Sequence, residues 1–371
     1  WGLDDVALFA ALKEFHGGRP WVDWEESEVF REKQALGAAR VMHSCRIDEH
    51  RFRQWVFYTQ WDRLRAYAND KGIRIVGDVP IYVAHDSSDV WTNPELFELD
   101  FNGRPHFIAG VPPDYFSSTG QRWGNPLYLW DEHRKTGYRW WIKRLEAALK
   151  LVDIVRVDHF RGFDRYYKIP ASRSTAQGGR WVNGPKIEFF RVVSQGLGKA
   201  LDELPIIAED LGDDLGEAID LRKALKLPGM VILQFAFGSN ESEQNRFLPK
   251  YHEENSIVYT GTHDNNTVLG WWTCEAGEDD RRRLREYLGK DRIDEPHWEL
   301  IRLGMESRAH TFIVPLQDVL GGGASTRMNK PGVPSGQWRW RCTPEEMEDA
   351  PWERLKALAA ANGRIPRAGE G

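Results

Sequence analysis

Four short motifs in this chain each place an acidic residue directly after an apolar run that is rich in β-branched residues. Such runs, followed by polar turns, are typical of the buried strands of a parallel sheet. In a barrel of alternating strands and helices, the carboxyl ends of the strands form one face, so acids at those ends converge on one pocket. The motifs therefore predict a parallel α/β fold with a carboxylate-lined site. They are Gly77-Asp78-Val79-Pro80, Arg156-Val157-Asp158-His159, Ala208-Glu209-Asp210 and Thr262-His263-Asp264-Asn265.

The chain contains six strand candidates, whereas a closed barrel of this kind has eight strands. It begins with Trp1 rather than Met, and no strand candidate precedes the first helical stretch. An open sheet would leave two edges bare, which closed barrels avoid. We therefore expect residues 1–371 to be one catalytic barrel, truncated at its N terminus and lacking the first two strands. The candidates are Ile73–Val76, Leu151–Val157, Pro205–Ala208, Met230–Phe237, Ser256–Thr260 and Thr311–Pro315.

Long segments between the predicted strands have little periodicity. Residues 84–138 are rich in Pro, Gly, Asn and Asp, and residues 163–184 follow the second strand candidate. Irregular segments of this length in a compact protein are usually functional, so we interpret both as loops inserted on the active face, together with the loop from Gly321 to Arg341. A helix is predicted from about Asp48 to Asn69, because Lys71-Gly72 provides an end signal before the first strand.

Carboxylates at separate strand ends suit glycoside cleavage, in which one acts as nucleophile and another protonates the leaving oxygen. The two must differ in pKa, because one is ionised while the other is protonated at the same pH. Arg156 projects to the same face as Asp158 and favours its charged form, whereas Glu209 has no basic neighbour in sequence. We therefore assign Asp158 as nucleophile and Glu209 as acid/base. Asp210 points to the opposite face of its strand from Glu209.

These motifs give the chain a resemblance to the 4-α-glucanotransferases of the amylomaltase type, glycoside hydrolase family 77 of the α-amylase clan. The strand motifs resemble the clan's conserved regions. The stretch from Gly110 to Ser117, continued by Gly120 to Pro126, is similar to a loop peculiar to this family. The resemblance extends from the first helix to Trp338-Arg339-Trp340-Arg341. It departs at Gln337, where Asn is expected, and at Asn266, where Asp is common.

The resemblance implies a (β/α)8 TIM barrel with long βα-loop insertions. It also implies retaining transfer of α-1,4-glucan segments between maltooligosaccharides or starch-type glucans. Asp158 and Glu209 take the roles given above, and Asp264 is a third carboxylate that binds the 2-OH and 3-OH of the sugar and distorts its ring. The implied substrate-binding residues are Asp78, Asp114, Gln121, Trp123, Asn125, Arg156, His159, His263 and Asn329.

Three of these assignments compete with ordinary structural roles. Asp78 can equally well brace the site through an ion pair with Arg156, since structural pairs also involve carboxylates at such positions. Trp123 offers a flat face to a sugar ring, but loop packing is as good an interpretation because large aromatic residues dominate burial in general. His263 can cap its strand, although beside Asp264 we interpret it as a donor to a sugar hydroxyl.

Two other functions fit the core motifs. A hydrolase of the α-amylase clan would form the same covalent glucosyl-enzyme intermediate and release the sugar to water. It should, however, lack the loop Pro112-Pro113-Asp114-Tyr115. The family-specific loop from Val111 to Pro126 favours transfer, because it would shield the intermediate from water. A glucan-binding fragment without activity is the second alternative, and it would result if the missing strands abolished catalysis.

Composition excludes other classes of partner. With 50 basic and 56 acidic residues the chain has a net charge of -6 and no basic cluster for nucleic acid. No apolar run approaches the roughly 20 residues that span a bilayer.

Three scattered cysteines favour a cytoplasmic location, and we assign them no role. No metal-binding spacing is present, and the resemblance implies no cofactor. The expected partners are α-1,4-glucans and maltooligosaccharides, with glucose as an acceptor, and nothing indicates the oligomeric state.

Overall fold

The structure is a computed structural model that describes residues 2–113, 118–212, 215–238, 245–333 and 335–365. The chain divides into two compact units, Trp1–Leu227 and Pro228–Gly371. We call them the N-unit and the C-unit and describe each by itself.

The N-unit contains two sheets. The first is parallel, with strand order β1-β4-β7, and the second is antiparallel, with order β3-β2-β5-β6. In the parallel sheet, Asp78 lies opposite Arg156 and Pro80 opposite Asp158, so the motif residues share one edge of the sheet. The strands are β1 (Val76–Pro80), β2 (Phe107–Val111), β3 (Gln121–Pro126), β4 (Ile154–Asp158), β5 (Arg165–Pro170), β6 (Arg180–Asn183) and β7 (Ile206–Ala208).

The helices of the N-unit surround a core that is unusually aromatic. Trp91, Trp141, Phe163 and Phe189 are all at most 1% exposed. The long helix predicted from Asp48 to Asn69 is confirmed as α4. The helices are α1 (Leu3–Phe15), α2 (Glu26–Val29), α3 (Lys33–Met42), α4 (Ser44–Asp70), α5 (Ser88–Thr92), α6 (Trp130–Lys135), α7 (Arg139–Leu151), α8 (Lys186–Gly196) and α9 (Gly216–Ala224).

The C-unit has one parallel sheet, with strand order β10-β9-β8, and its own apolar core. A π-helical turn, Trp271–Glu275, continues directly from α11. The strands are β8 (Gly229–Ile232), β9 (Ser256–Tyr259) and β10 (Thr311–Ile313). The helices are α10 (Leu233–Ala236), α11 (Val268–Gly270), α12 (Glu278–Leu288), α13 (Pro296–Glu306), α14 (Leu316–Val319), α15 (Pro344–Glu348) and α16 (Trp352–Ala361).

All six predicted strands are present, with boundaries shifted by a few residues. The candidate Met230–Phe237 is wrong in its second half, because the chain turns into helix α10 at Leu233. The six strands form two three-stranded parallel sheets, and no closed barrel is formed among the described residues. The fold is a mixed α/β fold.

The expectation of irregular loops is wrong for much of residues 84–138 and 163–184. The first segment contains β2, β3 and two short α-helices, and the second contains β5 and β6. Within the part of the chain that the structure describes, these four strands pair only with one another. The loop from Gly321 to Arg341 has no strand or α-helix among its described residues and includes one short 3₁₀ turn, Ala324–Thr326.

Candidate active site

Strand β4 presents Arg156 and Asp158 on the same face. Side chains alternate along a strand, and Val155 and Val157, at 0% and 2% exposed, fill the core on the opposite face. The Nη2 atom of Arg156 lies 2.9 Å from Oδ1 of Asp158. The predicted pairing of these two residues is therefore confirmed, and it favours the ionised form of the Asp158 carboxyl.

Arg156 also binds Asp78 on the neighbouring strand. Its Nη1 donates to both carboxylate oxygens of Asp78, at 2.8 and 2.7 Å. Burial alone would lower the pKa of Arg156, but the charges of Asp78 and Asp158 outweigh burial and raise it. The guanidinium thus holds two carboxylates at the edge of the sheet. Asp78 has the contact that a bracing role requires.

Glu209 follows directly after β7 and is partly buried. Both of its carboxylate oxygens accept backbone hydrogen bonds, Oε2 from the N–H of His159 and Oε1 from the N–H of Leu211, each at 2.8 Å. Burial and the negative charge of Asp158 nevertheless raise the pKa of Glu209 to about 7, against the lowering effect of Arg156 and of these N–H groups. Glu209 therefore holds a proton over a range of pH in which an ordinary glutamate is ionised.

His159 ends the β4 motif in a left-handed backbone conformation, with φ of 51°. This conformation turns its N–H toward Glu209 and buries its ring, which is 9% exposed. Burial and the charge of Arg161 lower the pKa of His159 to about 3, so the imidazole is neutral. Its Nε2 atom has no hydrogen-bond partner in the described part of the chain.

Asp210, which follows Glu209, is 1% exposed and lies 3.1 Å from Nε of Arg222 on α9. The two neighbouring acids therefore have different environments, as strand alternation predicts. Asp210 forms a structural ion pair with Arg222. Of the two neighbouring acids, Glu209 is the one that interacts with Arg156 and Asp158.

Strand β3 carries three of the predicted substrate-binding residues. The indole N–H of Trp123 donates to Oε1 of Gln121, at 3.1 Å. The Trp123 ring is 37% exposed and stands perpendicular to the His159 ring, with centroids 4.8 Å apart. Asn125 differs, because its amide donates to the carbonyl of Val83 and so braces the backbone. Asp114 lies outside the described residues.

In the C-unit, the remaining predicted residues lie together, His263 and Asp264 after β9 and Asn329 in the loop after α14. The amide of Asn329 donates to Oδ1 of Asp264, at 2.6 Å, and its backbone N–H donates to the carbonyl of His263, at 3.1 Å. Nε2 of His263 lies 3.5 Å from Oδ2 of Asp264. The ring of Trp338 lies 5.1 Å from that of His263. The structure therefore brings His263, Asp264 and Asn329 into one cluster, which we call the Asp264 cluster.

Two charged residues beside this cluster, Arg327 and Glu275, were not predicted from the sequence. Arg327 donates to the carbonyls of Asp264 and Asn329 and to Oε1 of Glu275. The same Glu275 oxygen accepts the Asn266 amide at 2.9 Å, a bond that the more common Asp could make only if protonated. The one feature of the sequence that could have indicated Arg327 is its position two residues before Asn329.

No group of three or more His, Cys, Asp or Glu side chains in the described ranges is arranged to hold a metal ion. The cysteines Cys45, Cys274 and Cys342 are free thiols. Within the same ranges, no helix combines the length and the apolar character that a membrane span requires.

Comparison with known proteins gives a consistent result. Residues 1–347 match the family profile of glycoside hydrolase family 77, described as 4-alpha-glucanotransferase. The 4-alpha-glucanotransferase of Thermus thermophilus is 47% identical over 98% of this chain and 73% of its own length. That of Synechocystis is 49% identical over 98% and 71%. The structure of the Streptococcus agalactiae amylomaltase in complex with acarbose superposes with a TM-score of 0.93 at 37% identity, over 98% of this chain and 73% of that one.

Proposed function

Because the chain belongs to the 4-alpha-glucanotransferases of glycoside hydrolase family 77, we propose that Asp158 and Glu209 perform its transfer reaction by double displacement. The chain is an enzyme that acts on α-glucans. Its membership of a transferase family sets aside the alternative that it is a hydrolase. The proposal concerns how its own residues carry out that transfer.

In the first step, the carboxylate of Asp158 attacks the anomeric carbon of an α-1,4-glucan. Glu209 gives its proton to the glycosidic oxygen as that bond breaks, which releases the shortened glucan and leaves a β-glucosyl ester on Asp158. In the second step, Glu209 takes the proton from the 4-OH of an acceptor glucan. The acceptor oxygen attacks the anomeric carbon, Asp158 leaves, and the α-linkage is restored.

The observation that carries these roles is the contrast between the two carboxyl groups. Asp158 is paired with a guanidinium at 2.9 Å, which favours its charged form. Glu209, which burial and the charge of Asp158 hold at a pKa of about 7, keeps its proton near neutral pH. One nucleophile and one acid at the same pH are what double displacement requires.

The other predicted residues are proposed to hold the sugars. Asp264 and its neighbours His263 and Asn329 supply acceptors and donors for ring hydroxyls. Neutral His159, with a buried Nε2 that no described residue satisfies, suits a hydrogen bond to a hydroxyl. The half-exposed ring of Trp123 beside it offers an apolar surface to the C–H face of a sugar. Asp78, Gln121 and Arg156 are proposed to line the same site.

The finer architecture is also part of the proposal. The six parallel strands belong to a (β/α)8 barrel of the α-amylase clan, and residues 84–138 and 163–184 are insertions on its active face. Donors and acceptors are maltooligosaccharides and starch-type α-1,4-glucans, with glucose as a further acceptor. The acarbose complex of the Streptococcus agalactiae amylomaltase supports this class of ligand. Three free thiols favour the cytoplasm as its location.

The product profile from maltotriose tests the proposal. We expect the wild-type chain to form glucose together with glucans longer than maltotriose, and we expect Asp158→Asn and Glu209→Gln to form neither. Glu217→Gln, a change at an exposed carboxylate on α9, is the control and should retain the wild-type profile. Turnover at the wild-type rate in Asp158→Asn or Glu209→Gln would refute the assigned roles. A folded wild-type chain that forms no product would favour the inactive glucan-binding alternative.

A further inference from the structure

We propose that Arg327 is a positioning residue that holds the Asp264 carboxylate in place for the transfer reaction. The inference rests on the proposed role of Asp264 as the third carboxylate of the site. The side chain of Arg327 contacts the backbone carbonyl of Asp264 and not its carboxylate.

Arg327 ties together the two segments that form the Asp264 cluster. Its Nη2 donates to the carbonyl of Asp264 at 2.6 Å, and its Nε donates to the carbonyl of Asn329 at 2.7 Å. Asp264 follows β9, whereas Asn329 lies in the loop after α14, so a single guanidinium spans segments that are 65 residues apart. The planar fork of an arginine is suited to two such bonds at fixed angles.

The bonds of Arg327 fix the side chains of the cluster as well as its backbone. The amide of Asn329 donates to Oδ1 of Asp264, at 2.6 Å. If the backbone of either residue shifts, this bond lengthens and the Asp264 carboxylate is free to rotate. A carboxylate that binds ring hydroxyls most strongly in the transition state then loses its alignment, and misplacement by about 1 Å costs on the order of 100-fold in rate.

The guanidinium is itself held in place. Its Nη1 donates to Oε1 of Glu275 at 3.0 Å, and the side chain of Arg327 is 17% exposed. Glu275 is the last residue of the π-helical turn and also accepts the amide of Asn266, which lies in the segment of Asp264. The contacts form a closed ring from the Asp264 segment through Glu275 and Arg327 back to the Asp264 carbonyl. Glu275 is 44% exposed, but the Arg327 side chain is largely buried and each of its three nitrogen atoms has an acceptor, which limits the orientations of the guanidinium.

Steady-state kinetics with maltotriose tests the inference. We expect Arg327→Met to lower kcat by about 10- to 100-fold while KM changes less than about threefold, because the missing alignment matters in the transition state. Arg327→Lys keeps the charge but loses the fork, so it should recover part of kcat. If Arg327→Met does not fold, Arg327→Lys is judged by the same kcat and KM criteria.

A matched control is Arg364→Met. Arg364 also donates to backbone carbonyls in the C-unit, those of Met305, Ser307 and Ala309. Its loss should lower the melting temperature without lowering kcat at a temperature where the protein is folded. An equal loss of kcat in both variants would overturn the inference, because it would reduce Arg327 to a general stabilising residue.

A double-mutant cycle with Asp264→Asn separates the inference from the function on which it rests. If Arg327 acts through Asp264, Arg327→Met should cause little further loss of kcat in the Asp264→Asn background. Losses that multiply fully would overturn the inference. Wild-type kcat in Arg327→Met together with a low but measurable kcat in Asp264→Asn would refute the role of Arg327 alone. Wild-type kcat in Asp264→Asn would refute the proposed role of Asp264, and with it that of Arg327.

Discussion

Opposing electrostatic effects meet at the carboxyl group of Glu209. Burial and the charge of Asp158 favour its protonated form, whereas Arg156 and two backbone N–H groups favour its ionised form. Burial and the charge of Asp158 prevail, and the pKa of Glu209 rises to about 7. Asp158 contributes to both proposed roles, because it supplies the nucleophile and also the negative charge that keeps the acid protonated.

The raised pKa of Glu209 predicts the alkaline limb of the pH profile. In its proposed role Glu209 must be protonated to release the leaving glucan, and its protonated fraction falls as pH rises through about 7. We therefore expect kcat/KM for maltotriose to decrease by about tenfold per pH unit well above that value, since kcat/KM reports groups of the free enzyme. Initial rates between pH 5 and 9 measure this. A profile that stays flat up to pH 9 would contradict the assignment of Glu209 as the acid.

Removal of the charge on Asp158 should change the acid as well as the nucleophile. In Asp158→Asn we expect the pKa of Glu209 to fall, because the negative charge that raises it is gone while Arg156 remains. Carbon-13 NMR of labelled glutamate side chains, titrated with pH, measures this shift. Asp202→Asn, at an exposed carboxylate paired with Lys226, is the control and should leave the titration unchanged. An unchanged or higher pKa of Glu209 in Asp158→Asn would contradict the coupling.

Local spacing predicted some of these residue contacts and could not predict others. The pairing of Arg156 with Asp158 follows from strand alternation over two positions. The contact between Arg327 and the carbonyl of Asp264 joins residues 63 positions apart and uses a backbone atom, so no spacing rule indicates it. The pKa of Glu209 depends on burial, which a sequence of polar residues after a strand does not reveal.

At the scale of elements, the strands of the two parallel sheets were predicted and those of the antiparallel sheet were missed. β7 and β9 are fully buried and read as continuous apolar runs. β3 is mostly exposed, contains Gly124 at φ of 85° and ends at Pro126, so it shows neither an apolar run nor apolar alternation. β3 therefore appeared in the sequence as part of an irregular loop, because Gly and Pro are depleted in most strands.

Because Trp123 lies on β3, its substitution tests the proposal that this residue binds substrate. We expect Trp123→Ala to raise KM for maltotriose by about 3- to 10-fold, the effect of losing an aromatic contact worth about 0.5–1.5 kcal/mol. Trp352→Ala is a matched control, because Trp352 is 38% exposed and its indole N–H also has an acceptor in its own unit. Isothermal titration with maltotriose in the Glu209→Gln background measures binding directly. Equal affinity in Trp123→Ala and wild type would favour the packing interpretation of Trp123.

Helix α13 packs on β10 through a glycine, which gives a stability prediction for the C-unit. A methyl group at Gly304 would overlap the ring of Phe312, so we expect Gly304→Ala to lower the free energy of unfolding by about 1–3 kcal/mol. Gly37→Ala on α3 is the control. Nothing lies near its added methyl group, and it should stabilise its helix by about 0.5–1 kcal/mol. Urea denaturation followed by circular dichroism measures both, and a Gly304→Ala protein as stable as wild type would contradict this packing.

At the scale of the whole molecule, the sequence predicted the set of parallel strands but not their grouping. Each strand is specified by its own apolar run, whereas the pairing of strands depends on contacts between distant residues. The structure has two three-stranded parallel sheets with separate cores, one in each unit. The motif order along the chain nevertheless identified the family correctly, because it depends on four strand ends and a loop rather than on how the sheets close.

The central claim for the molecule is that transfer proceeds through an ester on Asp158. It is tested most directly by trapping that ester with a 5-fluoro glycosyl fluoride and locating it by mass spectrometry of the digested protein. We expect a mass increase of one 5-fluoroglycosyl group on the peptide that contains Asp158, and no adduct in Asp158→Asn. An adduct on any other carboxylate, or an unchanged adduct in Asp158→Asn, would contradict it.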